Sequence, residues 1–210
     1  RVVRVLVTEK ARAIEQEFTG LAAEEFFRTT TSAIRRFDQN HLILGVRFHS
    51  MGAPEPVVRA AGKYCDVVSM NYYRFGQLEK IMPKSLGSLP IEGFLKRYAE
   101  VSGKPLLIGE FSFKARDSGL PNTRCAGAPV LETQADRASE FEKYVREAAG
   151  KPYIIGYHWF EYADEPALGR FDGEDCNLGL VNEKDEPYKP LTGAMERLNN
   201  DIYTLTMEKQ

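Results

Sequence analysis

Four short stretches hold the side chains with the most chemistry in them: Arg47-Phe48-His49, Asn71-Tyr72-Tyr73, Glu110-Phe111-Ser112 and His158-Trp159-Phe160-Glu161. Each closes an apolar run of strand length, and together they contain the only tryptophan and two of the three histidines. Glu110 is the most informative of these residues. It ends the run Pro105-Leu-Leu-Ile-Gly-Glu110, and an ionised carboxylate at the end of an apolar strand is costly unless something neutralises or hydrogen-bonds it. Two readings meet that cost. One is a structural carboxylate tied to an arginine or to backbone NH groups; the other is a reactive group in a site built around it. Trp159, Arg47, His49 and His158 also have ordinary structural readings: a buried ring, and polar groups satisfied near the surface.

The elements that must carry these ends are readable from periodicity. Leu42 to Phe48, Asp66 to Tyr72, Leu106 to Phe111 and Tyr153 to Phe160 are apolar on both faces, as in parallel strands covered by helices. Between them, Glu55 to Gly62, Ile91 to Val101 and Thr133 to Ala149 have amphipathic helical spacing, and Leu21 to Phe37 forms another such stretch before the first run. Strand and helix alternating at this interval predict βαβ units, an α/β fold with a parallel sheet. In such folds functional groups gather at the C-terminal strand ends, which is where the four stretches fall. Val2 to Val7 is a further candidate strand, and Arg124 to Glu132 and Asp172 to Pro187 read as long loops. No repeat, low-complexity tract or linker divides the chain.

Composition excludes several classes. The 210 residues are 43% hydrophobic with a formal charge of -2, which supports a packed core and argues against a nucleic-acid partner. The apolar runs fall far short of the roughly 18 to 20 residues that cross a bilayer, so no membrane span is predicted. The opening Arg1-Val2-Val3-Arg4 has no signal-peptide pattern and no Met, as expected of a truncated or processed N-terminus. Cys65, Cys125 and Cys176 are widely spaced without a CxxC pair, so neither a disulfide scaffold nor a structural zinc site is expected; one bridge with one free thiol stays open. The absence of GxGxxG, GxxxxGK[ST] and GxSxG counts against dinucleotide, P-loop and serine-hydrolase chemistry.

Taken in order, Leu107-Ile-Gly-Glu110-Phe, Ser69-Met-Asn71-Tyr72-Tyr73 and Gly156-Tyr-His158-Trp159-Phe160 resemble the ends of the seventh, sixth and eighth strands of retaining glycoside hydrolases built on a TIM barrel, in particular the β-agarase and β-galactosidase-like members. Arg36 to Gly45 is similar to the fourth helix and fifth strand of those families, and Phe160 to Val181 to the loop after their eighth strand. The resemblance runs from about Leu21 to Tyr188. It implies a partial (β/α)8 barrel, roughly strands 4 or 5 to 8, with residues 1 to 210 forming a single domain that is the C-terminal half of a catalytic barrel. It also implies that Glu110 is the nucleophile, that Tyr72 or Tyr73 donates a hydrogen bond to it, and that Trp159, Asn71, Tyr72, His158 and Arg47 line the sugar site. Neither cofactor nor metal is called for, because two carboxyls and water suffice. Asp172, Glu174, Asp175 and Asn177 do not fit the EF-hand calcium pattern and read as a solvated acidic loop.

The partner expected is a carbohydrate, and such a substrate favours a secreted or periplasmic setting. The clan carries its acid/base in an Asn-Glu pair after the fourth strand, whereas the only Asn-Glu here, Asn182-Glu183, follows the eighth. Thr8-Glu9 could occupy the right end if Val2 to Val7 were that strand, but Glu9 reads more readily as a helix N-terminal charge. Since a barrel of this type takes about 250 residues, the missing half would have to come from upstream or from another chain. The alternative is a non-catalytic, sugar-binding or structural remnant of such a barrel.

Overall fold

The computed structural model describes residues 8–49, 52–73, 91–124 and 128–207; the candidate strand Val2 to Val7 lies outside them. The chain enters through α1 (Glu9–Arg35), whose first turn is capped by Thr8: its hydroxyl accepts from the Ala11 NH at 3.1 Å. Glu9 stands exposed in that first turn, where the orphan NH groups and the helix dipole favour a negative charge. Thr8-Glu9 is therefore a helix start, and the helix is longer than the predicted Leu21 to Phe37.

Next come β1 (Arg47–Phe48), α2 (Glu55–Tyr64), β2 (Val68–Asn71), α3 (Ile91–Ser102), β3 (Leu106–Phe111), then β4 (Lys114–Ala115) and β5 (Val130–Leu131), which pair only with each other. The chain ends with α4 (Gln134–Ala149), β6 (Ile154–Trp159) and α5 (Lys189–Met207). The main sheet has the order β1-β2-β3-β6, every neighbouring pair parallel. A helix follows each of β1, β2 and β3, so the α/β architecture with a parallel sheet and outer helices stands as expected. The first strand is shorter than its apolar run. Gly45 takes φ +68, which bends the backbone out of extended geometry, and only Arg47 and Phe48 reach β2, opposite Ser69 and Met70. Asp66 ties the stretch before it in place, accepting from the Ile43 NH at 2.8 Å and from Arg35 at the end of α1.

Between sheet and helices lies one core. Val68, Met70, Leu106, Ile108 and Phe111 of the strands meet Leu95, Tyr98, Phe141, Tyr144 and Val145 of α3 and α4, all buried. Phe111 lies flat on Tyr144 with ring centroids 4.1 Å apart and 5° between planes. The helix α5, which strand-end reasoning did not foresee, seats Leu191, Ala194 and Leu198 in that core. Their spacing is the helical one, and Tyr157 of β6 hydrogen-bonds Asn199 on the same helix.

The longest buried polar side chain is Arg137 of α4, with no exposed surface. Its Nε donates to the Phe113 carbonyl at 2.6 Å, one terminal nitrogen to Gln134 Oε1 at 3.0 Å and the other to the Gly179 carbonyl at 2.9 Å. Its guanidinium lies over the rings of Trp159 and Tyr188, 5.3 and 5.4 Å from their centroids. Burial lowers its pKa to about 10, against the pull of the nearby Asp164 charge, so it is still a cation at neutral pH. Asn177, equally buried, takes Ala115 NH and Gln134 on its oxygen and gives its NH2 to Asp164. These two side chains brace the loops after β3 and β6 against α4.

Both ends of the sheet are open among the described residues. Leu42, Leu44 and Val46 are exposed beside β1, Ile155 on β6, and Ile14, Phe18 and Leu21 along α1. Unpaired parallel edges with exposed apolar side chains are surfaces that isolated chains normally cover.

Arg137→Met keeps the length of the stem but strands two buried carbonyls and leaves Asp164 without its counter-charge. Urea denaturation is expected to show a loss of about 3 kcal/mol.

Candidate functional site

The C-terminal ends of the four parallel strands bring the expected residues together around Glu110. Register places Asn71 opposite Glu110, with an irregularity on both strands at that level. Glu110 Oε1 accepts from Arg47 Nη1 at 2.7 Å and Oε2 from the Tyr73 hydroxyl at 3.1 Å. The carboxylate is 15% exposed. It therefore has the two partners that an ion at an apolar strand end requires. Burial, and next the adjacent Glu110 charge, push the Tyr73 hydroxyl well above its usual range. Tyr73 is consequently a permanent donor to this carboxylate.

Arg47 reaches Glu110 from a strand two places away, and Gly109 makes the crossing possible. A Cβ at Gly109 would stand 2.8 Å from Arg47 Cδ and 2.9 Å from both Asn71 Oδ1 and Ser69 Oγ. Asn71 belongs to the same cradle, its Oδ1 buried and without a hydrogen-bond partner among the described residues. Gly109 was legible as part of the run but not as the gap that the guanidinium stem needs.

The structure corrects two of the expected sugar contacts. Tyr72 points to the helices, not to the site: it is 3% exposed, stacks on Phe94 with centroids 5.9 Å apart, and takes Tyr144 on its carbonyl. Side chains alternate along a strand, so of the two tyrosines only Tyr73 faces Glu110. Trp159 pairs with Phe111 in register and shares its side of the sheet. It packs on Phe111, Phe113, Phe141 and Arg137, and its indole NH donates to the Leu178 carbonyl at 2.9 Å. It is a half-buried ring under the loop, on the helix side of the sheet and away from Glu110. By the same alternation His158, exposed, and Phe160 lie on the Glu110 side. Phe160 and Tyr73 pack against a small apolar patch of Ala128, Cys176 and Leu178.

The loop that follows β6 is more tightly charged than a solvated acidic loop. Arg170 binds Asp172 through two nitrogens at 2.9 and 2.8 Å, Glu174 at 2.7 Å and the 2% exposed Glu165 at 3.0 Å. Asp175 is spent on the neighbouring loop, accepting from the NH groups of Thr123 and Arg124. Burial first, then a hydrogen bond shared with Glu174, raise the Glu165 pKa to about 7. The carboxyl of Glu161 is also pushed up by burial. No group of three or more His, Cys, Asp or Glu suited to a metal ion occurs among the described residues. Cys176 is disulfide-bonded and Cys65 is free and buried, the one bridge and one thiol that three cysteines allow; Cys125 lies outside the described residues. No helix among the described residues is long and apolar enough to cross a membrane.

No protein-family model matches the chain. It is 35% identical over 194 residues to β-agarase B of Vibrio sp. (strain JT0107), a match that covers 92% of this chain and 19% of that protein. With β-agarase A of the same organism the identity is 34% over 182 residues, 86% of this chain and 17% of that one. The chain thus spans less than a fifth of the length of these curated relatives. The solved structure of an exo-β-agarase superposes with a TM-score of 0.82 at 35% identity, over 96% of this chain and 25% of that one. The crystal structure of another agarase, AgWH50C, does so with a TM-score of 0.80 at 33% identity, over 97% and 29%. A β-glucuronidase of an uncultured Clostridium sp. shares the fold alone, with a TM-score of 0.58 at 21% identity over 85% of this chain and 30% of that one. The likeness is to glycoside hydrolases with agarase-like members, the group the strand-end residues resemble.

Gly109→Ala is expected to lift Arg47 away from Glu110, and a crystal structure of the variant should show the 2.7 Å contact opened beyond 4 Å. Glu165 supplies a pH dependence. Its folded pKa is raised, so its contribution to stability is fully present below the ordinary carboxylate value of 4.5 and is lost as pH rises through about 7. Urea midpoints at pH 5 and pH 8 should therefore converge in Glu165→Gln relative to the parent chain.

Proposed function

We propose that this chain is the C-terminal part of a retaining, TIM-barrel glycoside hydrolase that cleaves β-linked galactose-containing polysaccharide of the agar type. The observation that carries this reading is the Glu110 carboxylate at the C-terminal end of β3, held between Arg47 and Tyr73, in a segment that aligns with β-agarases over nearly its whole length. In the reaction Glu110 attacks the anomeric carbon and the glycosidic bond to the leaving oxygen breaks. The acid/base carboxyl protonates that oxygen, then deprotonates the water that releases the sugar from Glu110 with its configuration retained. Tyr73 holds one carboxylate oxygen so that the other is free to attack when Arg47 yields to substrate. Asn71 and His158 are the groups placed to meet sugar hydroxyls.

The acid/base is not Glu9, which stands in the first turn of a helix, and no Asn-Glu pair ends a strand among the described residues. It comes from the other half of the barrel, which also covers the apolar side chains on both open edges. Residues 1 to 210 are on this reading one domain only when joined to that half, supplied by upstream sequence or by another chain. No cofactor takes part. A polysaccharide substrate places the enzyme outside the cytoplasm, a setting that a disulfide at Cys176 favours.

A second reading, a chain that binds sugar without cutting it, is favoured by the place of Glu9 in the first turn of α1. One experiment separates the two. In the complete barrel, Glu110→Gln is expected to lower kcat on agar oligosaccharides by three orders of magnitude or more, with KM changed little (~10³-fold or greater, the scale for losing a nucleophile). Ordinary turnover by that variant would remove Glu110 from the chemistry.

A further inference from the structure

The turn after β6 displays a feature that the catalytic reading does not use. Leu168 and Phe171 are 101% and 99% exposed, the largest values among the apolar side chains, although the backbone carrying them is closed and pinned. Arg170 NH donates to the Glu174 carbonyl at 2.9 Å, Gly173 NH to the Arg170 carbonyl at 2.8 Å, and Gly169 NH to the Pro166 carbonyl at 2.7 Å. Gly169 and Gly173 take φ +83 and +89, which allow so tight a turn. The Arg170 side chain then clamps Asp172, Glu174 and Glu165 while lying 5.9 Å from the Phe171 ring. Exposure of this ring is built in by a hydrogen-bonded turn, and apart from the Arg170 guanidinium over it the ring adds little to the fold.

The tip also has a definite position. It follows the strand that flanks Glu110, at the C-terminal side of the sheet where ligands of parallel α/β folds lie. Its Glu174 and Glu161 both contribute to the field on Tyr73, whose hydroxyl binds Glu110. The half-buried Trp159 ring is taken up by Phe111, Phe113, Phe141 and Arg137 on the helix side of the sheet.

We propose that Phe171, with Asp172 next to it in the turn, is a sugar-stacking subsite that holds a pyranose unit of the polysaccharide away from the bond being cut. This rests on the proposed function for its ligand class. The chemistry fits: the apolar CH face of a galactose-type ring lies on the phenyl face, and the carboxylate beside it accepts from the equatorial hydroxyls. A second protein chain fits poorly. Two apolar side chains supply a small part of the roughly 800 Å² per partner that a stable interface buries, and the charged groups around them are those depleted from interface cores.

The material for the test is the completed barrel carrying Glu110→Gln, which keeps the probe uncut, with an agar-derived hexasaccharide as probe and galactose as control. Calorimetric titration is expected to show hexasaccharide binding that weakens about five- to tenfold in Phe171→Ala and is kept in Phe171→Trp, the fully exposed site making both variants fold as the parent does. Equal affinity in Phe171→Ala overturns the subsite, as does an absence of hexasaccharide binding by the parent barrel. A change of oligomeric state in Phe171→Ala with unchanged sugar affinity, seen by light scattering, overturns it in favour of a protein contact. Loss of turnover in Glu110→Gln is read separately in the complete barrel, so failure of either proposal leaves the other standing.

Discussion

A carboxylate at the end of an apolar strand has to be compensated, and the way Glu110 is compensated orders everything near it. Arg47 must come from β1 and Tyr73 from the end of β2, so three neighbouring strands have to end level with one another. The parallel sheet provides that alignment, since each βα unit returns the chain to the same starting edge. The irregular register between Ile108 and Phe111 then lets both Gly109 and Glu110 stand at the level of Asn71. Gly109 offers no side chain, so the Arg47 stem occupies the space over it. An ion pair of this kind, with the guanidinium half in solvent and the carboxylate mostly out of it, adds little to stability. Its value is in orientation, as one oxygen is held by a neutral donor and the other by a cation.

The second constraint is polar burial beneath the loops. Arg137 and Asn177 are enclosed completely, and each side-chain nitrogen they bring in finds a carbonyl, an amide oxygen or Asp164. Such networks are worthwhile only when fully satisfied, and this one fastens three separate pieces: α4, the strand pair β4–β5 through Ala115, and the loop after β6 through Asp164 and Gly179. Trp159 sits within it, which is why it is a structural ring. The same bracing explains how the turn around Arg170 can carry an exposed aromatic side chain on a pinned backbone, and why the buried Glu165 and the cation of Arg170 belong to the loop's architecture.

Much of this was legible in the sequence. Strand-length apolar runs ending in polar residues gave the strands of a parallel sheet and put Glu110, Asn71, Arg47 and His158 at one end, because period-2 and period-3.6 patterns are imposed by burial alone. Direction within a strand end was less legible. Tyr72 and Tyr73 are adjacent and identical, and only the register of Asn71 against Glu110 determines which of them faces the carboxylate. Trp159 and Phe160 present the same ambiguity, and there the larger ring went to the core. Gly45 shortened the first strand through a left-handed φ that no apolar count reveals. The helix α5 had a clear signal in Leu191, Ala194, Leu198 and Ile202, but it lies beyond the last strand end and was passed over. The clamp around Arg170 depends on a turn conformation, so its carboxylates read as solvated when taken one by one.

The central claim is that Glu110 forms a covalent bond to sugar. Its most direct test is to treat the completed barrel with a 2-deoxy-2-fluoro galactoside bearing a good leaving group, which slows release more than attack, and to locate the label by peptide mass spectrometry. The account predicts a single added fluorosugar on the peptide that contains Glu110, removed slowly in water. A label on another carboxylate, or hydrolysis with inversion and no trapped species, would contradict it.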